Sequence, residues 1–346
     1  MSNKYKVAVV GATGAVGEVM LSILAERKFP ISELVALASE RSAGSHIDFG
    51  DDEVLVQDLA NFDPSSVDIA LFSAGGAASK EYAPKFAAAG VVVIDNSSTF
   101  RYDDDVPLVV SEVNPDAAKN RPRGIIANPN CSTMQLMPVL APIHREYGIE
   151  RVNVATYQSV SGGGRSAMEE LGRQTAELLS FQDIEPKKFP VQIAFNLIPH
   201  IDEFQPNGYT KEEMKLVWET QKILGDSNIQ VNPTAVRVPV FFGHSEAVNI
   251  ETKHKITVEQ ARALLDKAAG VEVVDEHKAG GYPTPVTHAS GKDPVFVGRI
   301  REDFSHPRGL NLWVVADNIR KGAALNAVQI AELLVAEGLP PKATGG

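Results

Sequence analysis

A single cysteine stands where a strand is expected to turn into a helix. Gly124 to Ala127 is a short apolar run, Asn128-Pro129 is a turn dipeptide, and Cys131 follows just before an apolar helical pattern. The free N–H groups and the positive dipole end of that helix favour thiolate, so Cys131 should ionise more readily than an ordinary surface cysteine. The alternative is a small buried apolar residue, the usual fate of a lone intracellular cysteine.

His244 is the natural proton carrier for such a thiol. It follows a predicted strand from Thr234 to Val240 with Arg237 in its middle. A charge inside an apolar strand requires a partner, and an anionic ligand is one candidate. Imidazole titrates near neutral pH, which makes His244 a candidate general base. Other histidines are alternatives in principle, although His144 lies at a charged helix end and His254 in an alternating strand.

Two charged residues open a predicted helix further along the chain. Thr210 caps its start, and Glu212 and Lys215 lie three positions apart, which places them on one helix face. A surface ion pair is the simpler interpretation of these two residues. Arg101 lies just beyond another predicted strand, where it could reach the crevice that Cys131 borders, although a loop arginine is usually a solvated charge.

A glycine-rich turn near the N-terminus predicts a nucleotide site. The run Gly11 to Gly17 (GATGAVG) lies between an apolar strand and an amphipathic helix, and its glycines let a pyrophosphate approach the N–H groups of the helix start. Its spacing is GxxGxxG rather than GxGxxG, so a plain tight turn is the alternative. After the second strand, Arg41 with Ser39 and Ser42 favours the 2′-phosphate of NADP, whereas Glu40 would suit a free 2′-hydroxyl.

The composition is that of a soluble globular protein. The 346 residues include 44% hydrophobic and 22% charged residues, and the net charge is −11 with no basic run longer than a pair, which argues against a nucleic-acid partner. One cysteine excludes an internal disulfide and fits a reducing compartment. Apolar runs are strand-length, and the chain enters a strand at once, which argues against a membrane span and a signal peptide. We therefore expect a cytoplasmic protein, and no histidine or cysteine spacing indicates a metal site.

The order of elements predicts two domains. Strands that alternate with helices up to about residue 130 predict a parallel sheet with its ligand at the strand carboxyl ends. Next, Pro138 and Pro142 predict a kinked or two-part helix. Longer alternating strands, such as Arg151 to Gln158, predict a second sheet with one wetter face. An amphipathic helix from about Lys321 to Glu337 is expected to pack on the first domain, and the tail from Pro340 is expected to be disordered.

A series of motifs resembles the aspartate-semialdehyde dehydrogenase family between Gly11 and Asn326. The motifs are GATGAVG, IDNSSTFR, VSEVNP, ANPNCST, YQSVSGGG, EEMK, VRVPVFFGHSE and DNIRKGAALN. Such an ordered series is far more specific than a glycine loop. The resemblance implies an α/β protein with two domains. These are a Rossmann-type dinucleotide-binding domain at 1–130, completed by the C-terminal helix at 319–340, and an α+β catalytic and dimerisation domain with a mixed sheet at 131–318.

The resemblance also implies a reaction. The family reduces L-aspartyl 4-phosphate with NADPH to L-aspartate 4-semialdehyde and phosphate, a step toward lysine by way of diaminopimelate and toward threonine and methionine. Cys131 would be the nucleophile that carries the acyl group as a thioester. His244 would be the acid/base residue that handles the proton on the thiohemiacetal oxygen, and Gln158 would orient the substrate.

The same matches imply the ligand contacts. Arg101, Lys215 and Asn130 match the phosphate site, while Arg237 and Glu212 match the contacts to the substrate's α-carboxylate and α-ammonium. The charges of these residues are consistent with the matches, because a guanidinium can bind a carboxylate through two hydrogen bonds and a carboxylate pairs with an ammonium. The positions that match the NADP contacts are Thr13, Gly14, Ala15, Val16, Arg41, Ser42, Ser161, Gly162 and Asn318. The family also implies a homodimer or a pair of dimers.

Three alternatives stay open at this point. The nearest is another acyl-phosphate reductase of the same architecture, such as N-acetyl-glutamyl-phosphate reductase. Its substrate has no free α-ammonium, so Glu212 beside Lys215 argues for the aspartyl compound. A thiol acyltransferase or hydrolase with a nucleotide domain predicts no hydride transfer and leaves Arg41 and Ser42 without a ligand. A non-catalytic NADP sensor would make Cys131 at a helix start a coincidence.

Overall fold

The computed structural model describes residues 4–339, which divide into two compact units. The first unit holds the described residues up to Asn130 and those from Ala323 onward, and the second runs from Cys131 to Gly322. Gly322, at the end of the second unit, packs directly against Cys131 at its start. The chain start and the tail expected to be disordered, residues 1–3 and 340–346, lie outside the described residues.

A seven-stranded sheet is the centre of the first unit. Its strands are β1 (Tyr5–Val10), β2 (Ile31–Ala38), β3 (His46–Phe49), β4 (Asp52–Asp58), β5 (Ile69–Phe72), β6 (Val92–Asp95) and β7 (Ile125–Ala127). They lie in the order β3-β4-β2-β1-β5-β6-β7, and every neighbouring pair is parallel except the antiparallel pair of β3 and β4. The predicted α/β fold is confirmed. The β3–β4 pair was not predicted, because exposed polar residues interrupt its apolar positions.

Helices cover this sheet and meet it through its apolar residues. They are α1 (Ala15–Glu26), α2 (Gly76–Ala88) and the C-terminal helix (Leu325–Ala336). Apolar side chains of the C-terminal helix join the core formed by β1 and α1. Asn326, which is fully buried in that helix, donates from its Nδ2 to Asn128 Oδ1 at 2.6 Å. This bond joins the C-terminal helix to the segment that follows β7.

The second unit is built on a six-stranded mixed sheet. Its strands are β8 (Ile149–Gln158), β9 (Gln230–Arg237), β10 (His244–Thr252), β11 (Val271–Val273), β12 (Val295–Asp303) and β13 (Gly309–Ala316), in the order β11-β12-β13-β10-β8-β9. The β8–β9 and β11–β12 pairs are parallel and the others antiparallel. The predicted mixed sheet is confirmed. Its helices are α3 (Cys131–Tyr147), α4 (Arg165–Leu179), α5 (Lys211–Leu224) and α6 (Val258–Leu265).

The helix α3 is continuous from Cys131 to Tyr147, which excludes the two-part form of the predicted kinked or two-part helix. Pro138 and Pro142 lie inside it and each removes an intrahelical donor. Residues 132–141 and Ile143 are all buried, and α3 packs against β8, β10 and β13. Tertiary packing therefore compensates for the missing hydrogen bonds. Among residues 4–339, no helix combines the length and the apolarity that crossing a bilayer requires.

The second sheet carries polar side chains on the face opposite α3. Along β8 buried and half-buried residues alternate, which confirms the predicted wetter face. Asparagines line up across four strands on this face: Asn232 donates to Asn153, Asn153 to Asn249, and Asn249 to Asn311, over 3.1–3.4 Å. These four asparagines, the asparagine row, hydrogen-bond to one another and leave a broad surface half-exposed.

One carboxyl group lies in the apolar interior beneath β10. Glu246 is fully buried, and within the described part of the chain neither of its oxygens makes a hydrogen bond of ordinary geometry. Burial raises the pKa of the Glu246 carboxyl well above its ordinary value, and the amide of Gln135 on α3 opposes this only weakly. Burial therefore favours the neutral acid form of Glu246 in the folded protein.

We predict that Glu246→Gln stabilises the protein increasingly as the pH rises. Above an ordinary carboxyl pKa of about 4.3 the unfolded chain releases this proton while the folded chain keeps it, so wild-type stability falls with pH in that window. Glutamine cannot ionise and escapes this loss. Above this pH, urea titrations should show the variant gaining up to about 1.4 kcal/mol per pH unit over the wild type, until the pH reaches the raised pKa of Glu246 in the folded protein.

The matched control is Glu251→Gln, on the opposite face of the same strand. Its carboxylate is half-buried and lies 3.5 Å from Arg151, so removing the charge loses an ion pair and brings no gain that grows with pH. A pH-independent difference between Glu246→Gln and the wild type would contradict the assignment of a neutral Glu246.

Candidate active site

Strand topology gathers the polar residues of the second unit at one edge of its sheet. β8 and β9 run in parallel, and their last residues, Gln158 and Arg237, are register partners. β10 is antiparallel to both neighbours, so its first residue, His244, lies at the same edge and pairs with Ala316 at the end of β13. Arg237 therefore ends its strand, and its predicted place in the middle of a strand is wrong.

Cys131 is the first residue of α3, as predicted, and is half-buried. Negative charge is stabilised at this end of a helix by the unpaired N–H groups and the dipole. Gly322 packs against it in the π-helical turn Arg320–Ala324: an ideal Cβ on Gly322 would lie 2.8 Å from the Cβ of Cys131, closer than real atoms approach. Only glycine fits there, and sequence reasoning did not single out this residue.

His244 is fully buried and neutral. Its Nδ1 accepts a hydrogen bond from the backbone N–H of Ser159 at 3.1 Å, and the Ser159 hydroxyl lies at the same distance. Burial, reinforced by the charge of Arg237, lowers the pKa of His244 to about 3. Its Nε2 makes no hydrogen bond within residues 4–339. Ser159 was not predicted as a site residue, since a serine after a strand carries no distinctive signal.

The first turn of α5 carries a buried ion pair and not a surface one. Thr210 and Glu213 form a reciprocal capping box that fixes this helix start. Glu212 accepts from Lys215 Nζ at 2.9 Å and from Gln158 Nε2 at 3.2 Å. These contacts bring three predicted site residues together: Gln158, Glu212 and Lys215.

Lys215 also contacts a residue that sequence reasoning missed. Its Nζ lies 2.8 Å from Oδ2 of Asp202, which adopts a left-handed backbone conformation with φ of 69°. Burial by itself would lower the pKa of Lys215, but Glu212 and Asp202 outweigh it and raise that pKa. Lys215 is thus held as a cation between two carboxylates. One of them, Asp202, lies in an irregular segment that no sequence pattern predicts.

Arg237 is a buried cation beside Cys131. Its Nη1 donates to the backbone carbonyl of Ser159 at 2.7 Å, and its charge interacts with Glu212 and with Cys131. Burial lowers the pKa of Arg237, although a guanidinium stays charged over any physiological range. The guanidinium therefore provides fixed positive charge near the sulfur.

The predicted cofactor contacts of the second unit form a buried hydrogen-bond network with Ser159. Asn318 Oδ1 accepts from the hydroxyls of Ser159 and Ser161 at 3.0 and 3.2 Å, and from the N–H of Gly243 at 2.9 Å. Gly162 lies over the site, where an ideal Cβ would come within 3.0 Å of Arg237 Nη1 and 3.4 Å of the His244 ring. A side chain at 162 would fill this space.

The first unit has its own cavity, of about 500 Å³, at the carboxyl ends of its central strands. The predicted residues in its lining are Thr13, Gly14, Ser39, Arg41 and Ser42, together with Gly11 and with Glu40, which would suit a 2′-hydroxyl. Ala15 and Val16 begin α1 next to it and do not line it. Gly11 has φ of +85°, and an ideal Cβ there would lie 2.7 Å from the backbone of Ser73, so the two loops meet only because Gly11 lacks a side chain. Gly11 thus serves the close packing of the two loops that border this cavity.

Two predicted phosphate contacts belong to the first unit. Arg101 is buried and its Nη2 donates to the carbonyl of Asn96 at 2.7 Å, so it is not the solvated loop charge of the simpler interpretation. Asn130 is buried directly before Cys131. Among residues 4–339, no group of three or more histidine, cysteine or acidic side chains is arranged to hold a metal ion.

Two family models match the chain. The model described as semialdehyde dehydrogenase, NAD binding domain, matches residues 6–121, which identifies the unit with the glycine loop as an NAD(P)-binding domain. The model described as semialdehyde dehydrogenase, dimerisation domain, matches residues 140–321. The predicted combination of a dinucleotide-binding domain with a dimerisation domain is confirmed.

Individual relatives and solved structures agree with these models. Aspartate-semialdehyde dehydrogenase of Legionella pneumophila is 61% identical over 343 residues, or 98% of each chain. The crystal structure of aspartate semialdehyde dehydrogenase II from Vibrio cholerae, complexed with ASA, has a TM-score of 0.95 and 58% identity, covering 97% of this chain and 100% of that chain. The Candida albicans aspartate semialdehyde dehydrogenase, solved with NADP, has a TM-score of 0.76 and 26% identity, covering 98% and 100%.

These matches extend over nearly the whole chain, and they include the segments that place Cys131, His244 and the first turn of α5 in one unit. The chain belongs to the aspartate-semialdehyde dehydrogenase family.

Proposed function

We propose that this protein reduces L-aspartyl 4-phosphate with NADPH to L-aspartate 4-semialdehyde and phosphate. The observation that carries the proposal is the arrangement within the second unit of a half-buried cysteine at a helix start, a neutral histidine and a buried set of fixed charges. A thiolate, a hydrogen-bond donor and anchors for a charged substrate are what acyl transfer followed by reduction requires.

Cys131 is the nucleophile in this proposal. The N-terminus of α3 and the charge of Arg237 both favour its thiolate. The sulfur attacks the acyl carbon of the substrate, the C–O bond to phosphate breaks, and phosphate leaves with that electron pair, so that a thioester remains on Cys131. The reduced nicotinamide, when bound, supplies the hydride that converts this thioester to the aldehyde level. The carbon–sulfur bond then breaks and returns Cys131 as thiolate.

The substrate's charges match the buried residues around the sulfur. Glu212 offers a carboxylate to the α-ammonium and Arg237 a guanidinium to the α-carboxylate, while Lys215 is a cation for the phosphate. Gln158, held by Glu212 at 3.2 Å, orients the acyl group. The roles of Arg101 and Asn130 toward phosphate rest on the family resemblance alone.

The cofactor is NADP in this proposal. The cavity of the first unit suits a dinucleotide phosphate, because Gly11 and Gly14 line it without side chains at the start of α1 and Thr13 adds a hydroxyl. Arg41 and Ser42 in the same lining suit a 2′-phosphate, whereas Glu40 would suit a 2′-hydroxyl. Ala15 and Val16 at the start of α1 and Ser161, Gly162 and Asn318 of the second unit are further contacts on the resemblance alone.

We assign the asparagine row of the second sheet to self-association, and the protein to a homodimer. The row lies in the domain that the dimerisation model matches, and half-exposed asparagines across four strands offer a broad polar face that a second copy can cover. A pair of such dimers is the further possibility that the family resemblance implies. We place the reaction in the cytoplasm, in the biosynthesis of lysine, threonine and methionine.

The test of the reaction is phosphate-dependent reduction of NADP by aspartate semialdehyde, followed through the absorbance of the reduced nicotinamide. We predict activity that requires phosphate and falls by at least about 10⁴-fold in Cys131→Ala, because covalent catalysis is lost. The variant should still bind NADP, which shows that it is folded. Activity with an N-acetylated substrate in place of the free amine would overturn the role of Glu212, and absence of activity in folded wild type would overturn the reaction.

Cofactor preference is tested by Arg41→Ala. We predict that KM for NADP rises by at least about tenfold while KM for NAD changes little, because one charge-assisted contact to the 2′-phosphate is worth roughly 1.5–3 kcal/mol. Lys85→Ala, an exposed cation of the same unit that does not line the cavity, is the control and should leave both constants unchanged. Equal effects on NADP and NAD would contradict the assignment.

Self-association is tested by Asn249→Asp. Asn249 donates to Asp303 at 2.9 Å in the asparagine row, so the variant places two carboxylates together on the proposed interface and should sediment as a monomer where the wild type is a dimer. Asn61→Asp is the matched control, since Asn61 also donates to an aspartate, Asp58, on an exposed part of the first unit. A wild-type monomer, or a variant that stays dimeric, would contradict the interface.

A further inference from the structure

The hydrogen bond between Ser159 and His244 decides where the imidazole proton lies. A backbone N–H can only donate, and the N–H of Ser159 points at Nδ1 of His244 over 3.1 Å. Nδ1 must therefore carry a lone pair. In a neutral imidazole the single proton is then on Nε2, and His244 is held neutral by its burial and by the charge of Arg237.

The donating amide is itself held in place from both sides. The carbonyl of Ser159 accepts from Arg237 Nη1 at 2.7 Å, and its hydroxyl donates to Asn318 Oδ1 at 3.0 Å. Asn318 Oδ1 also accepts from the N–H of Gly243, the residue before His244. The amide and the ring are thus anchored to the same buried side chain, and neither can turn without breaking these bonds.

The other protonation states of His244 conflict with this geometry. A proton on Nδ1 would face the N–H of Ser159 and leave that buried amide without an acceptor. An imidazolium would do the same and would also lie beside the charge of Arg237. The Ser159 hydroxyl, which can donate or accept, serves either tautomer, so the backbone amide decides between them.

We infer that Ser159 is a positioning residue that fixes His244 as the Nε2–H tautomer, so that His244 meets the reacting oxygen as a hydrogen-bond donor and does not remove the proton of Cys131. This inference rests on the proposed function. It replaces the role of general base that the sequence suggests for His244.

The proton balance of the proposed reaction is consistent with His244 as a hydrogen-bond donor. Attack by thiolate on the acyl phosphate expels phosphate, which takes up from solvent the one proton that the net reaction consumes, and hydride addition to the thioester gives an oxyanion that collapses to aldehyde and thiolate without a proton. The oxygen needs stabilisation at both stages, which a neutral imidazole N–H provides. Nε2 has no hydrogen-bond partner within the described residues, and an ideal Cβ on Gly162 would lie 3.4 Å from it.

The tautomer is measured by nitrogen NMR of the protein labelled with ¹⁵N in its histidine rings, with His244→Gln identifying the signal of His244. We expect one bare nitrogen at δ1 and one protonated nitrogen at ε2, unchanged from about pH 6 to pH 9. Ser159→Ala keeps the backbone amide and should leave this pattern unchanged. A proton on Nδ1, titration to the imidazolium within that range, or a changed pattern in Ser159→Ala would each overturn the inference.

A kinetic measurement separates a donor from a base. A carboxamide can donate a hydrogen bond but cannot accept a proton at neutral pH, so His244→Gln should retain a kcat at least about tenfold above that of His244→Ala. Equal losses in the two variants would contradict a donor role. His277→Gln, an exposed histidine, is the control and should match the wild type. The NMR measurement needs no substrate. It therefore tests the tautomer of His244 even if the proposed reaction is wrong, and the two failures can be distinguished.

Discussion

The interior of the catalytic unit depends on the backbone of one residue, Ser159. Its carbonyl accepts from Arg237 and its N–H donates to His244, so the two peptide groups that flank Ser159 position a cation and an imidazole. Both side chains are buried, and a buried polar group without a partner is costly. The sheet makes this possible because β8 ends at Gln158, one residue before Ser159, between the end of β9 and the start of β10.

The buried charged residues around Ser159 have different roles. Arg237 and Lys215 are cations that anionic ligands can use, and Glu212 with Asp202 prevents their charge from accumulating uncompensated. Burial, together with the positive charge of Arg237, keeps His244 neutral. A second buried cation at the histidine would be repelled by Arg237 and would leave the N–H of Ser159 without an acceptor, so a neutral donor suits the electrostatics of the unit.

Local sequence signals predicted the central strands of the first unit and the start of α3. β1, β2, β5 and β6 are buried apolar runs, and Cys131 follows a turn dipeptide and begins its helix. Intrinsic propensity failed for α3, because packing against the sheet outweighs the effect of Pro138 and Pro142. The β3–β4 pair was missed for the opposite reason, since exposed strands have little apolar pattern to detect.

The candidate site was predictable only where a residue's own chemistry marks it. Cys131, His244 and the Glu212–Lys215 spacing are visible in the chain, but Ser159 and Gly322 act through residues distant in sequence. Ser159 meets His244 through strand order, and Gly322 is required only because Cys131 packs on it. Asp202 meets Lys215 from an irregular segment. Such contacts follow from topology, which a single sequence pattern does not encode.

Trapping the acyl intermediate shows whether Cys131 carries the acyl group. The protein would be incubated with aspartate semialdehyde and NADP, with phosphate withheld so that the thioester has no acceptor, then quenched in acid and analysed by mass spectrometry of its peptides. We expect an aspartyl adduct confined to the peptide that contains Cys131 and removed when phosphate is added before the quench. An adduct on another residue, or formation of NADPH with no adduct on Cys131, would contradict it.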